Sequence, residues 1–368
     1  MITVVGIGAD GWDGLTHAAQ EAISSASLVL GSPRQLELVP VQGRSWTKLS
    51  ELESLLTDDC VVLASGDPMH FGIGATLART HDVRVIPSVS SISLACARLG
   101  WAQQEVEVVS LVGRAPSLGP LREGLRLLVL SADASTPSLV ADLLAAQGFS
   151  DSSVTVLSDL GGPDEHSGEP FSDLNVVAVA CVGNGLPVVP GLPDEAFEND
   201  GQITKREVRA VVLSLLEPQP GQLLWDVGAG TGSVGIEWVR AGGRVAAVER
   251  DAHKGARVLR NAAALGVLVD LVVGEAPDAL SSLPAPDAVF VGGGATAPGL
   301  LDASWDALLP GGRLVVSAVT AESEAVVLAW QAKHGGSLTR LSVQRTAPIG
   351  SFTGWKPMTT VTIWSVTK

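Results

Sequence analysis

The chain has 368 residues, which at roughly 150 per domain predicts two or three domains. With 46% hydrophobic residues, 17% charged residues and 41 glycines, its composition is that of a packed globular protein and excludes a disordered one. Net charge is −15, split as −14 over residues 1–195 and −1 over residues 196–368, so neither half has the basic excess that a nucleic-acid partner needs.

Cys60, Cys96 and Cys181 are widely spaced and odd in number, which excludes a disulfide framework or a cysteine zinc site and points to a reducing compartment. The six histidines share no metal-ligand spacing, so no metal is expected, and their loop and surface-helix contexts read as solvated positions. The opening MITVVGIGAD lacks a basic n-region and is not read as a signal peptide. The uncharged run 174–193 contains Pro187, Pro190 and Pro193, so it reads as a buried strand followed by a loop, not a membrane span. A soluble, cytoplasmic protein without membrane contact is expected.

In chain order, short β-branched runs alternate with amphipathic stretches. Upstream they are ITVVGIG, LVLG, CVVLASG, VRVIP, VEVVSLVG, LRLLVLS, VTVLSDL and LNVVAVACVG; downstream they are QLLWDVGAG, RVAAVER, VDLVVGE, PDAVFVGG, GRLVVSAV and MTTVTIWSVT. That alternation predicts α/β units around mostly parallel sheets. Between the two sets, LPVVPGLPDEAFENDGQ (186–202) is rich in proline and then in acids, and reads as an extended connector. The expected division is a domain over 1–192, a linker over 193–202 and a domain over 203–368.

Glycine turns follow several of these strands. Gly6-Ile7-Gly8-Ala9-Asp10-Gly11 matches the dinucleotide pattern, but the next strand ends in Gly31 and Ser32 with no acid for a ribose. The turns Gly66-Asp67-Pro68-Met69 and Ser88-Val89-Ser90-Ser91 stand at strand C-termini, where an open α/β sheet presents its ligands; ordinary turn chemistry explains them equally well.

Downstream, a strand ends at Asp226-Val227 and runs into Gly228-Ala229-Gly230-Thr231-Gly232, after which a helix begins. A second strand ends at Glu249, where a βαβ unit places an acid that accepts both hydroxyls of a ribose. A third ends at Gly274-Glu275-Ala276, near where an adenine would lie. The spacing of Gly230, Gly232 and Gly235 also fits NAD, but Asp226 beside the loop would repel a pyrophosphate and attract an ammonium or sulfonium. S-adenosylmethionine has those charges and no phosphate, and is the preferred ligand.

VVGIGADG, ASGDPMHFG, VIPSVSSISLACARLG and VVSLVGR, in this order, resemble the tetrapyrrole (precorrin) methylase family. GQITKREVRA, WDVGAGTGSVGIEW, AVERD, GEAPDAL and DAVFVGGG resemble the decarboxylating precorrin methyltransferases. The resemblance implies a tetrapyrrole methylase fold of two α/β subdomains, followed by a class I, Rossmann-like methyltransferase domain. It also implies two S-adenosylmethionine sites per chain and a tetrapyrrole substrate of the cobalamin pathway. That substrate, precorrin-6B, would be methylated at C-5 by the upstream module. The downstream module would methylate C-15 and decarboxylate the C-12 acetate to give precorrin-8.

Carried onto this sequence, the upstream cofactor contacts would be Gly6, Gly8, Gly66, Asp67, Pro68, Met69, Ser90 and Ser91. The downstream set would be Thr204, Asp226, Gly228, Ala229, Gly230, Thr231, Gly232, Glu249, Glu275 and Ala276. Where the upstream family often carries His before Gly-Arg, this chain has Val112. A homo-oligomer, a tetramer through the downstream half, is expected from the same resemblance. A polycarboxylate substrate needs local cations, for which Lys205 and Arg114 are the candidates. No catalytic residue is assigned from sequence, because methyl transfer depends chiefly on positioning.

Overall fold

The computed structural model describes residues 1–368 and divides them into two compact units. The first unit holds residues 1–116, 123–145 and 149–183, the second the remainder.

The first unit contains two sheets. In one, β1 (Ile2–Ile7), β2 (Leu28–Gly31), β3 (Arg44–Ser45), β4 (Cys60–Ser65) and β5 (Val83–Ile86) are all parallel, in the order β3-β2-β4-β1-β5. Val4, Val5, Leu30, Val62 and Leu63 have no exposed surface, as a parallel sheet covered on both faces requires. In the other, β6 (Val106–Ser110), β7 (Arg126–Leu130), β8 (Ser153–Ser158), β9 (His166–Ser167) and β10 (Asn175–Ala180) run β6-β7-β10-β8-β9. Only β6 and β7 pair in parallel there. The uncharged run therefore contains β10 and then a loop. No helix is long and apolar enough to cross a membrane.

The second unit is built on β11 (Leu223–Val227), β12 (Arg244–Glu249), β13 (Asp270–Val273), β14 (Ala288–Val291), β15 (Arg313–Ala318), β16 (Ser337–Leu341) and β19 (Val361–Thr367). Their order is β13-β12-β11-β14-β15-β19-β16, parallel except for β19 with its neighbours. Strand order reverses between β11 and β14, and the crevice beyond their C-termini is where such sheets bind ligands. Strands β17 (Gln344–Ile349) and β18 (Phe352–Pro357) form a separate hairpin. This α/β architecture matches the sequence expectation in both halves, except that the second upstream sheet is mostly antiparallel where the sequence predicts mostly parallel sheets.

The connector reading does not hold. Leu192 and Phe197 are buried among Ile236, Ala262, Leu265 and Val267, so this stretch is core of the second unit. One of its acids is not solvated either: Asp194, only 8% exposed, accepts from Arg345 and from the Arg206 backbone N–H, whereas Glu195, Glu198 and Asp200 are exposed. Gly354-Trp355-Lys356-Pro357 closes strand β18, with Trp355 68% exposed. His334 also departs from its solvated reading: it stacks on Trp330 and leans on Trp305, and its Nε2 is buried.

Candidate active sites

In the second unit the backbone leaves β11 through Gly228, Gly230 and Gly232, with φ of 72°, 61° and 76°, a region that disfavours a Cβ. At Gly228 and Gly230 an added Cβ would meet nothing nearer than 3.5 and 3.9 Å, so this turn stays open to a ligand. The helix Ser233–Arg240 starts at once, and Asp226 supports its first turn: Gly235 N–H donates to Asp226 Oδ2 at 2.9 Å. Burial pushes the Asp226 carboxyl up to about 7; the Gly235 hydrogen bond opposes this and the charge of Glu249 adds to it.

Glu249, at the end of β12, accepts the Gly230 N–H on Oε2 at 2.9 Å and the Asp251 N–H on Oε1 at 3.0 Å. An ionised carboxylate has about four lone-pair sites, so two remain for a diol. These groups line a cavity of about 900 Å³ that reaches from the glycine turn to Ser317, at the end of β15, and to the β17–β18 hairpin. Ser317 Oγ is buried there without a hydrogen-bond partner.

A buried ion network shapes the cavity mouth. Arg209, fully buried, donates to Glu237, to Asp194 and to the carbonyls of Thr204 and Leu192, and stacks on the Phe197 ring at 4.8 Å. Glu237 also accepts the Gly191 and Leu192 N–H groups. Arg345, on β17, bridges Asp194 at 3.0 Å and Glu207 at 2.6 Å. The chain before the helix Arg206–Leu216 is thus clamped, and Thr204 and Lys205 are fixed in the cavity wall.

In the first unit the turns after β1, β4 and β5 converge. Gly66, with φ of 58°, donates its N–H to the Ile7 carbonyl at 2.9 Å. Asp67 Oδ1 accepts the Met69 N–H, and Ser90 caps the helix Ser91–Leu99 by accepting from Ser93 N–H at 3.1 Å. Gly8, Gly66, Asp67, Ser90 and Ser91 line a second cavity of about 590 Å³.

Two family models match the chain: tetrapyrrole (corrin/porphyrin) methylases over residues 1–171 and the precorrin methyltransferase domain over residues 195–368. A precorrin-6Y C(5,15)-methyltransferase [decarboxylating] from Sinorhizobium sp is 45% identical over 397 residues, covering 100% of this chain and 96% of that protein. The chain belongs to the decarboxylating precorrin-6Y C(5,15)-methyltransferases. A second member, from Mycobacterium tuberculosis H37Rv, is 44% identical over 393 residues and 100% of both chains. The crystal structure of the C-terminal domain of the Rhodobacter capsulatus protein is 42% identical, with a TM-score of 0.48, covering 50% of this chain and all of that one.

Within this chain, the downstream expectations fall mostly together: Thr204, Lys205, Asp226, Gly228, Ala229, Gly230, Thr231 and Glu249 all line the larger cavity. Asp226 does so from beneath the loop, bonded to Gly235. Gly232 does not line it; a Cβ there would come within 2.8 Å of Val258, so its smallness serves packing. Glu275 and Ala276 lie outside the cavity wall. The Glu275 side chain is 79% exposed beside Arg250, and Ala276 packs on the core.

Upstream, Gly6, Pro68 and Met69 are likewise outside the wall. Gly6 lets two turns close: a Cβ would sit 2.2 Å from the Gly66 carbonyl and 2.6 Å from Ser88 N. Pro68 is buried and Met69 is exposed. Arg114 stands behind the wall with its guanidinium 5.0 Å from the centre of the Phe71 ring, which does line the cavity, as does Val112. Sequence reasoning missed Asp194, Arg209, Glu237 and Arg345, because charges so far apart in sequence announce no pairing. It also missed Arg34, Trp46 and Ser317, single residues at or just past strand ends.

Proposed function

We propose that each unit of this chain is a complete methyltransferase site acting on the same tetrapyrrole, and that each binds one S-adenosylmethionine. Together they methylate precorrin-6B at C-5 and C-15, with loss of the C-12 acetate carboxyl as carbon dioxide, to give precorrin-8. The observation that carries this is a cavity at the strand C-termini of each unit, each walled by glycine turns of that unit alone. The similarity of the chain to relatives over its whole length supports the pairing of the two activities.

S-adenosylmethionine supplies an electrophilic methyl group when bound. In the downstream site Glu249 would hold the ribose diol on its free lone pairs, and the open turn at Gly228–Gly230 would let the nucleoside approach the backbone. Asp226, once ionised, would favour the sulfonium. Lys205, in the wall with only a long 3.4 Å bond to the Gly201 carbonyl, would pair with a substrate carboxylate. In the upstream site Asp67, Gly8, Gly66, Ser90 and Ser91 would form the cofactor side, with Arg114 reaching substrate only through Phe71. Each site would position the acceptor carbon, which supplies much of the acceleration of an in-line displacement.

The same reading proposes a homo-oligomer assembled through the downstream unit, for which the β17–β18 hairpin offers exposed apolar side chains, Ile349 and Phe352 paired on one face and Trp355 on the other.

The test is incubation with precorrin-6B and S-adenosylmethionine, read by mass spectrometry. Two methyl groups gained and one carbon dioxide lost are expected. Titration with S-adenosylhomocysteine should show two sites per chain; a single site would sink the two-site proposal.

A further inference from the structure

Arg34 lies in the helix Pro33–Glu37, which follows β2 directly, and is the one lysine or arginine in the wall of the upstream cavity. Its Nη2 donates to a neutral group, Ser65 Oγ, at 3.0 Å, which leaves four of the five guanidinium N–H groups. Gln35 donates to the same hydroxyl at 3.1 Å, so the β2 and β4 ends are tied together beneath it. Burial lowers the Arg34 guanidinium from its ordinary value, and the charge of Asp159 only partly offsets that. This is a partly desolvated cation without an ion-pair partner in the half of the chain that carries −14.

A second donor in the same wall is also waiting. Trp46 lines the cavity, and its Nε1 is buried with no acceptor in the protein. Of the acids in this wall, Asp67 accepts the Met69 N–H and Asp173 the Ala134 N–H at 3.1 Å. Strand order fixes which end of the cavity these donors occupy. In β3-β2-β4-β1-β5 the turns assigned to the cofactor follow β4, β1 and β5, whereas Arg34 follows β2. Three strand spacings of about 4.8 Å set β2 roughly 14 Å from β5, whereas the adjacent β4 ends at Ser65, the residue Arg34 bonds, directly before the Gly66 turn.

Resting on the proposed upstream site, we infer that Arg34, with the Trp46 indole N–H beside it in the wall, binds a carboxylate side chain of the tetrapyrrole and thereby orients the ring for methylation at C-5. It is a specificity-determining residue; the cofactor side of the site does not include it. A planar guanidinium matches a carboxylate with two parallel hydrogen bonds, which a lysine cannot reproduce.

The full-length R34M, R34K and W46F variants, given precorrin-6B and S-adenosylmethionine, test this. R34M should raise the KM of C-5 methylation by about 10- to 100-fold, the worth of a hydrogen bond to a charged group, while kcat stays within about threefold. R34K should recover part of the loss, and W46F, which keeps an aromatic ring but removes the N–H, should raise KM by about threefold to tenfold. The R34M reaction should accumulate product that is decarboxylated and methylated at C-15, and S-adenosylhomocysteine should still fill both sites. An unchanged KM in R34M and W46F would overturn the assignment. Loss of the upstream S-adenosylhomocysteine site in R34M would also overturn it, by placing Arg34 in the cofactor cradle. If the unaltered chain made no C-5 product, the reading of the upstream unit would itself fail, and this inference with it.

Discussion

Asp226 is a buried acid whose ionisation the ligand should govern. Its carboxyl is raised to about 7, so the folded chain holds a proton there that the unfolded chain releases near the ordinary value of 3.8. Stability from this group is therefore lost as pH rises between those two values. Asp226→Asn, which keeps an acceptor for Gly235, should make the ligand-free protein more stable to urea above about pH 7, by roughly 1–3 kcal/mol. The same proton opposes a cationic ligand. Affinity for S-adenosylmethionine relative to the neutral thioether S-adenosylhomocysteine should rise about tenfold through this pH range, and stay flat in Asp226→Asn. Calorimetry at several pH values decides; a ratio independent of pH in the unaltered chain would refute the role given to Asp226. Glu249→Gln should weaken both ligands by about 10- to 100-fold, because the diol loses its charged acceptor.

At the scale of elements, the stretch from residue 191 to 205 behaves as part of the second unit. Arg209 holds it by pairing with Glu237 and Asp194, and removing one partner of a buried charge cluster strands the others. Arg209→Met should cost about 3–5 kcal/mol in urea unfolding. A downstream fragment begun at residue 184 should fold, whereas one begun at 203 loses Leu192, Phe197 and Asp194 and should melt far lower; equal melting would show that the segment is dispensable. Sequence misplaces this stretch because prolines and acids are the marks of a solvated linker, and nothing local reveals the arginines that pair with them. The β17–β18 hairpin is illegible for the opposite reason. Ile349, Phe352 and Trp355 are all exposed, so burial imposes no period of two on its sequence. By contrast β1, β4, β11 and β12 are buried almost throughout and read as largely apolar runs, with Asp226 the one acid inside β11 and Arg244 and Glu249 at the ends of β12. The glycine turns that follow them were legible as turns. Which glycines face a ligand and which relieve a packing clash, as Gly6 and Gly232 do, depended on neighbours distant in sequence.

For the molecule as a whole, the exposed apolar hairpin and the proposed assembly belong together. Phe352→Glu with Trp355→Glu should lower the mass seen by light scattering at micromolar concentration; an unaltered chain that is already monomeric would remove the oligomer from the proposal. The two cavities have a different consequence. Every residue of the larger one lies in the second unit and every residue of the smaller one in the first, so neither borrows a wall from the other. Damage to one site should then be repairable from outside. A chain inactivated at Glu249 and a chain inactivated at the upstream turn by Gly66→Val, each unable to finish the product alone, should complete it when mixed in one tube. The yield of that complementation should climb with protein concentration, since the half-processed tetrapyrrole has to leave one chain and find another.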